Sequence, residues 1–336
     1  MTGSVDNEIN EIRMNKPHVV ILGAGASKAA FPSGDRNGKC VPLMNELVEA
    51  VELGGLLSEA NVESPTCDFE SMYDEMSSND ELRDIRERID NSIYSYFCGL
   101  EFPDTPTLYD YLLLSLRKKD VVATFNWDPF LVHAYRRNAG KFDLPRLLFL
   151  HGNVAVGFCW ADRVAGFHDT RCSKCGEPLA RTRLLYPVSR KNYREDIFIS
   201  EQWGELEKKL RSAFMITVFG YSAPESDLAA KDLMRTAWGN PDQRRMEQTE
   251  IIDVKSVQVL EKTWRPFICS HHYETHSSFF DSWIANHPRR TGEAYLNQYW
   301  EIRYIDKNPV PRNFSLPELW AWYERFTPAE LVGEDG

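Results

Sequence analysis

The residues best suited to chemistry fall in four short segments of this 336-residue sequence. GAGAS (Gly23–Ser27) has glycines that permit a tight turn and a close backbone approach to a phosphate, with Ala24 and Ser27 opening a following helix. Lys28 stands where a dinucleotide fingerprint would carry its third glycine, so an ordinary strand-to-helix turn accounts for the segment as well. TFNWDPFL (Thr124–Leu131) sets Asn126 two residues before Asp128. In extended chain that spacing points a carboxamide and a carboxylate the same way, and together they can hold an amide; Asx-type turn capping is the alternative. LHGN (Leu150–Asn153) contains His151, either a general base near neutral pH or a structural histidine. In FGYSAPESD (Phe219–Asp227), Gly220 and Ser222 can approach a phosphate or ribose, and Asp227 is placed to cap the next helix.

Each segment follows an apolar run that reads as a buried strand: HVVIL (His18–Leu22), VVATF (Val121–Phe125), RLLFL (Arg146–Leu150) and FMITVF (Phe214–Phe219). A fifth run, EIIDV (Glu250–Val254), carries Asp253 near its end. Strands alternating with helical stretches predict an α/β fold with a Rossmann-like, doubly wound parallel sheet. Ligands of such sheets bind beyond the C-terminal strand ends, where all four segments lie. Leu82, Ile85, Ile89, Ile93, Tyr96 and Phe97 fall on one helix face, and 43–118 reads as a helical insertion between the first two core strands. A further helix is predicted over 201–213. Residues 1–16 read as a polar N-terminus and 17–330 as one domain. Within it lie a small cysteine-bearing insertion at 152–195 and an aromatic extension at 277–330, with Trp283, Trp300, Trp320 and Trp322.

RCSKCGEPL puts Cys172 and Cys175 at a spacing where two thiolates can grip one tetrahedral Zn2+, with Cys159 as a third ligand and His168 as a fourth. A turn with free thiols is the alternative. Seven cysteines in a chain without an export signal argue against a disulfide framework, and Cys40, Cys67 and Cys98 show no spacing signal. His271, His272 and His276, near Cys269, suit either a metal or local hydrogen bonds. HPRR (His287–Arg290) offers two guanidinium groups to a phosphate or a partner's carboxylate, or forms surface ion pairs.

A net charge of -11 disfavours a nucleic-acid footprint. No apolar run approaches the ~20 residues that cross a bilayer, and the first residues lack the apolar core of a signal peptide. A cytoplasmic protein is expected, without membrane contact.

Taken in order, GAG.S, T.N.D, HG and GYS..SD at successive strand ends resemble the sirtuin family, specifically its prokaryotic, NAD+-hydrolysing branch. The similarity runs over roughly residues 17–260 and is dense at the motifs. It implies an NAD-binding domain in which Gly23, Ala24, Gly25 and Ser27 cradle the phosphates. Asn126 and Asp128 would surround the nicotinamide and its ribose, with Thr124 also binding the cofactor. His151 would be the catalytic base. Gly220 and Ser222 would hold phosphates or the adenosine ribose, and Asp253 the adenosine. Sirtuins commonly supply two CxxC pairs to a structural zinc, and here the first pair is missing.

Three departures from the protein-deacylase members stand out. The GIPDFR-like stretch after the glycine turn is AAFPSGDR here; the Gln of the family's TQNID motif is Phe125; the FGE segment that pins an acyl-lysine strand is absent, residues 184–193 reading LLYPVSRKNY. The resemblance therefore implies an NAD+ glycohydrolase that yields nicotinamide and ADP-ribose, in a regulated, antiphage-defence setting. NAD-dependent protein deacylation and a non-catalytic NAD+ or ADP-ribose sensor are the alternatives. The aromatic C-terminal region leads to the expectation of a homo-oligomer or of a partner defence protein.

Overall fold

Alternation along one strand sorts the core into two layers. In β1 (His18–Leu22), Val20 and Leu22 enter one apolar cluster and Val19 and Ile21 the other, as the two-residue period of a strand requires. The computed structural model describes residues 4–62, 69–186, 193–224, 227–240, 244, 246–268 and 271–334. After α1 (Val5–Ile9) and β1 come α2 (Ala24–Ala30), α3 (Leu47–Ala50), α4 (Gly54–Glu59), α5 (Phe69–Ser77), α6 (Arg83–Cys98) and α7 (Leu108–Leu114). Next are β2 (Val121–Thr124), α8 (Phe130–Asn138) and β3 (Arg146–Phe149). The antiparallel strands β4 (Val156–Cys159), β5 (Val164–Phe167) and β6 (Ala180–Arg181) form a small sheet of their own, in the order β5-β4-β6. Then follow α9 (Ile197–Ser212), β7 (Met215–Phe219), α10 (Leu228–Trp238), β8 (Gln248–Ile252), α11 (Val257–Trp264) and β9 (Tyr273–His276). The chain closes with α12 (Trp283–Asn286), α13 (Thr291–Tyr299), α14 (Leu316–Glu324) and α15 (Thr327–Glu334).

The main sheet has six parallel strands in the order β3-β2-β1-β7-β8-β9. This is the doubly wound arrangement. The winding reverses between β1 and β7, and the crevice beyond the carboxyl ends of those two strands is where such sheets bind ligands. One face carries α9, α10 and α11 through Phe198, Leu206, Met234 and Leu260; the other carries the helical insertion and the C-terminal helices through Ile89, Ile93, Ile284 and Tyr323. Within α6, Ile89, Ile93 and Phe97 are buried, while Leu82 and Ile85 pack only at the margin. The helix stops at Gly99.

Differences from the sequence reading have local causes. The fifth strand begins at Gln248 and ends at Ile252, so Asp253 lies just beyond it. The sixth strand, β9, reads Tyr-Glu-Thr-His; it is a polar edge strand paired only to β8 and shows no apolar run. Its His276 lies 3.4 Å from Glu250 and 3.5 Å from Glu274, and His272 Nδ1 is 2.5 Å from the Tyr295 hydroxyl, so local partners account for these histidines; Cys269 and Cys67 lie outside the described residues.

HPRR is neither an anion site nor a surface cluster. His287, Arg289 and Arg290 are buried: His287 pairs with Glu8, both arginines pair with Glu330, and Arg290 also donates to the Ile9 carbonyl at 2.7 Å. The aromatic extension covers the sheet, with Trp283, Tyr295, Tyr323 and Phe326 inside; Trp300, Ile302 and Tyr304 stay exposed. No helix among the described residues is long and apolar enough to cross a membrane.

Candidate active site

A cavity of about 520 Å³ opens at the point where the winding reverses, within the range of small-molecule and cofactor sites. The four motifs meet there. Gly23, Ala24, Gly25 and Ser27 line it from the turn after β1, Asn126 and Asp128 from the turn after β2, His151 from beyond β3, and Gly220 and Ser222 from the turn after β7; Asp253, beyond β8, reaches the same cavity. Thr124 does not line it. Its buried hydroxyl accepts the Asn126 amide N–H at 3.0 Å, so Thr124 shapes the turn that carries Asn126.

The glycines serve each other before they serve a ligand. Gly220 has φ +61°, and a Cβ there would lie 2.2 Å from the Ala26 nitrogen; a Cβ on Gly25 would lie 2.9 Å from the Gly220 Cα. The Gly25 N–H donates to the Gly220 carbonyl at 2.9 Å and the Gly23 N–H to the Phe219 carbonyl at 3.0 Å. The two turns are therefore locked backbone to backbone, and the Gly25 amide, expected to face a phosphate, is spent inside the protein.

Asn126, Ser27, Asp128 and Tyr109 form one buried network. The Asn126 amide donates to the Gly23 carbonyl and to Ser27 Oγ, both at 2.9 Å. A carbonyl only accepts, so Nδ2 faces Gly23, and the Asn126 Oδ1 is the atom left for a ligand. Ser27 donates to Asp128 Oδ2 at 2.6 Å and lies 2.6 Å from the Tyr109 hydroxyl. Ser27 has a single hydrogen, so Tyr109 donates to it when Asp128 is ionised. Burial pushes the Asp128 carboxyl up to about 6, against the donations from Ser27 and the Phe130 N–H. Tyr109, on α7, gave no signal in the sequence, because a tyrosine in an apolar helix reads as core.

Aromatic rings fix the imidazole. Phe125 meets His151 edge-on at 4.8 Å and stacks on Tyr221 at 4.1 Å with 11° between planes. The Tyr193 ring lies nearly parallel to His151, its hydroxyl 3.5 Å from Nε2. His151 Nε2 is 3.8 Å from Asp227 Oδ1, and both residues are buried and line the cavity. Asp227 occupies the N-cap position of α10 but makes no helix-capping bond; its Oδ2 instead accepts from the Tyr221 hydroxyl at 2.9 Å. The remaining wall comes from the segment after α2, with Val41, Leu43 and Met44, and from the insertion, with Glu70 and Phe97. Insertion residues far from the motifs in sequence could not be assigned to the cavity from spacing.

The cysteines gather away from this cavity. Cys159 Sγ lies 3.7 Å from Cys175 Sγ, Cys172 Sγ is 3.3 Å from Asp162 Oδ2, and Cys159 Sγ is 3.6 Å from the same oxygen. Bonds of 2.3 Å to sulfur and about 2 Å to oxygen give a zinc tetrahedron edges of roughly 3.8 Å and 3.5 Å, so the spacing fits. The carboxylate of Asp162 raises the Cys175 thiol to about 12, a conflict that a dication would relieve. Three thiolates and one carboxylate among the described residues thus suit Zn2+. Among the described residues the group that stands with the three thiols is Asp162; His168, exposed in the turn after β5, is not part of the cluster.

No protein-family model matches the sequence, nor does any curated protein. Among solved structures, a Sir2 homologue in complex with NAD aligns at 15% identity over 88% of this chain and 93% of its own, with a TM-score of 0.38. Sir2 bound to an acetylated peptide aligns at 14% identity over 88% of this chain and 97% of its own, with a TM-score of 0.36. Sir2Tm bound to a propionylated peptide gives 14%, 87% and 95%, with a TM-score of 0.37. At these scores the likeness adds nothing to the geometry above.

Proposed function

We propose that the chain binds NAD+ across the point where its sheet reverses, and cleaves the nicotinamide–ribose bond with water as acceptor. The products are nicotinamide, ADP-ribose and a proton. The observation that carries this reading is the meeting of Asn126 and His151, from two different strand ends, in one cavity floored by the interlocked turns after β1 and β7.

The chemistry asks for what these residues offer. Departure of nicotinamide passes through an oxocarbenium-like state, as glycoside cleavage does, and a pyridinium leaves without protonation. The protein must orient the sugar, exclude bulk water and admit one nucleophile. The Asn126 Oδ1 accepts from a ribose hydroxyl, while the buried Phe125–Tyr221 stack keeps one wall apolar. His151 takes a proton from the incoming oxygen, an assistance worth about 10²–10⁴-fold. Ala24 and Ser222 are assigned to the phosphates and sugars and Asp253 to the adenosine end, while Gly23, Gly25, Gly220 and Ser27, whose N–H or O–H donors are held within the protein, shape the turns that floor the cavity. Cys159, Asp162, Cys172 and Cys175 are assigned a structural Zn2+, which would tie the small sheet together. From the motif resemblance we assign the activity to a regulated, antiphage role in the cytoplasm, with a homo-oligomer or a partner protein as its controlled form.

Incubating the purified chain with NAD+ and identifying products by chromatography tests the reading. Nicotinamide and ADP-ribose should appear in equal amounts, and His151→Ala should abolish both. Release that needs an added acyl-lysine peptide would instead identify a deacylase, and NAD+ binding without turnover a sensor. Light scattering reports the assembly state.

A further inference from the structure

We propose a second ligand site, separate from the cavity at the sheet reversal, that takes a phosphate monoester and braces the loop carrying His151. A cavity of about 430 Å³ opens between α5, α6 and the stretch that runs on from the end of β6. Tyr73 of α5, Arg86 and Asp90 of α6, and Arg181, Arg183 and Tyr186 of that stretch line it. It shares no lining residue with the first cavity.

The argument starts from three arginines without counter-charges. Elsewhere on the surface guanidinium groups sit against carboxylates: Arg88 on Glu59, Arg136 on Asp169 and Arg146 on Glu205. Among the described residues, Arg86, Arg181 and Arg183 form no ion pair, and Arg86 Nε is buried without a hydrogen-bond partner. Carboxylates in the same walls do not answer them. Asp90 accepts from the Tyr73 hydroxyl at 2.7 Å, and Asp196 caps α9 through the Ile199 N–H at 3.0 Å. Glu195 is exposed and pairs with none of the three. The Arg181 guanidinium lies over the Tyr94 ring at 4.6 Å, a cation–π contact that holds the charge in place. Three guanidinium groups around one cavity call for an anion. A tetrahedral dianion offers oxygens to planar forks on different walls. The volume falls in the range of small-molecule sites, so a body of sugar size fits beside the phosphate.

The same stretch is tied by its backbone to the loop after β3. The Leu185 N–H donates to the His151 carbonyl at 2.9 Å, and Thr182 Oγ1 donates to the Asn153 carbonyl at 3.0 Å. Gly152 has φ +77°, and a Cβ there would stand 2.1 Å from the Arg183 carbonyl oxygen. Tyr186 stacks on Tyr73 at 4.7 Å, and its ring lies 5.1 Å from that of Trp127, which lines the first cavity. A ligand that clamps Arg181 and Arg183 to Arg86 therefore fixes this strap against α6. Order imposed there reaches His151 because the strap and the loop share these bonds.

The test uses the full chain with ribose 5-phosphate as the probe and ribose as the control, in calorimetry and in amide hydrogen exchange. Ribose 5-phosphate should bind once per chain, and ribose should not bind. Arg181→Gln, Arg183→Gln and Arg86→Gln should each weaken binding about 10- to 100-fold. Thermal melting identifies any variant that fails to fold; Arg86→Gln, on the wall opposite the strap, decides if the strap variants do. No binding, or binding that survives in the folded variants, overturns the site. Bound sugar phosphate should slow exchange of the Leu185 amide about tenfold; unchanged exchange overturns the bracing. Nicotinamide release should rise several-fold with the probe bound, and an unchanged or lower rate overturns the link to His151. Only this last arm rests on the glycohydrolase reading. A chain that releases no nicotinamide sinks that reading, while calorimetry and exchange still decide the site.

Discussion

The side-chain amide of Asn126 hangs from the Gly23 carbonyl at 2.9 Å, so the residue that faces the cavity from the turn after β2 also ties that turn to the one after β1. Binding and architecture share one carboxamide.

Asn126→Asp separates these roles from simple shape. It deletes both donors and sets a carboxylate oxygen against the Gly23 carbonyl. Nicotinamide release should fall more than about 10²-fold, and stability by about 1–3 kcal/mol for the buried bonds lost. Product assays and thermal melting check the two effects separately.

Gly220→Ala attacks the interlock below. The new methyl would sit 2.2 Å from the Ala26 nitrogen at a residue with φ +61°. Neither backbone can yield without dragging its strand end, so the loss should exceed the 0.5–3 kcal/mol of a typical substitution. We expect little soluble protein, or a melting temperature lowered by several degrees; a wild-type melting curve would refute the interlock.

His18 predicts the acid limb of stability. It is fully buried on β1 with Nε2 2.7 Å from Thr217 Oγ1, and burial lowers its pKa from 6.5 to about 4. The folded state therefore holds it neutral while the unfolded chain takes up a proton. Its contribution is complete above pH 6.5 and is lost as pH falls towards 4, by at most about 3 kcal/mol. His18→Gln keeps a donor for Thr217 but does not titrate. Denaturant unfolding from pH 7 to pH 4 should show a shallower decline for this variant than for wild type.

The cysteine cluster predicts one zinc per chain by metal analysis. Cys172→Ser should remove it, and Asp162→Asn should weaken it. Chelation should lower the melting temperature while NAD+ affinity changes little, since none of the four cluster residues lines the cavity. Retention of the metal in Asp162→Ala together with its loss in His168→Ala would restore the histidine as ligand.

Much of the architecture was readable because buried parallel strands announce themselves. His18–Leu22 and Val121–Thr124 are apolar runs ending at chemistry-bearing turns, and their alternation with helical stretches predicted the doubly wound parallel sheet, whose reversal between β1 and β7 only the structure gives. Tyr273–His276 was hidden because an edge strand needs no apolar alternation, and its polar side chains look like a loop. The motif residues were visible for a related reason: all but Thr124 stand at strand ends that the sheet brings to one cavity. Tyr109, Tyr193 and Asp162 were not, since each acquires its part only from neighbours remote in sequence. Asp227 was visible but misread, because position at a helix start says nothing about where a carboxylate turns.

The crossing of Gly25 over Gly220 has a mechanical meaning for whatever enters. Backbones touching without side chains between them have no rotamers to change, so that side of the chamber acts as an anvil of fixed shape. Adjustment to a guest must come from the facing wall, where Val41, Leu43 and Met44 join Phe97 on irregular chain and an inserted helix. Mutational tuning of which guests are admitted therefore belongs on that side, and changes on the glycine side should read out as folding defects.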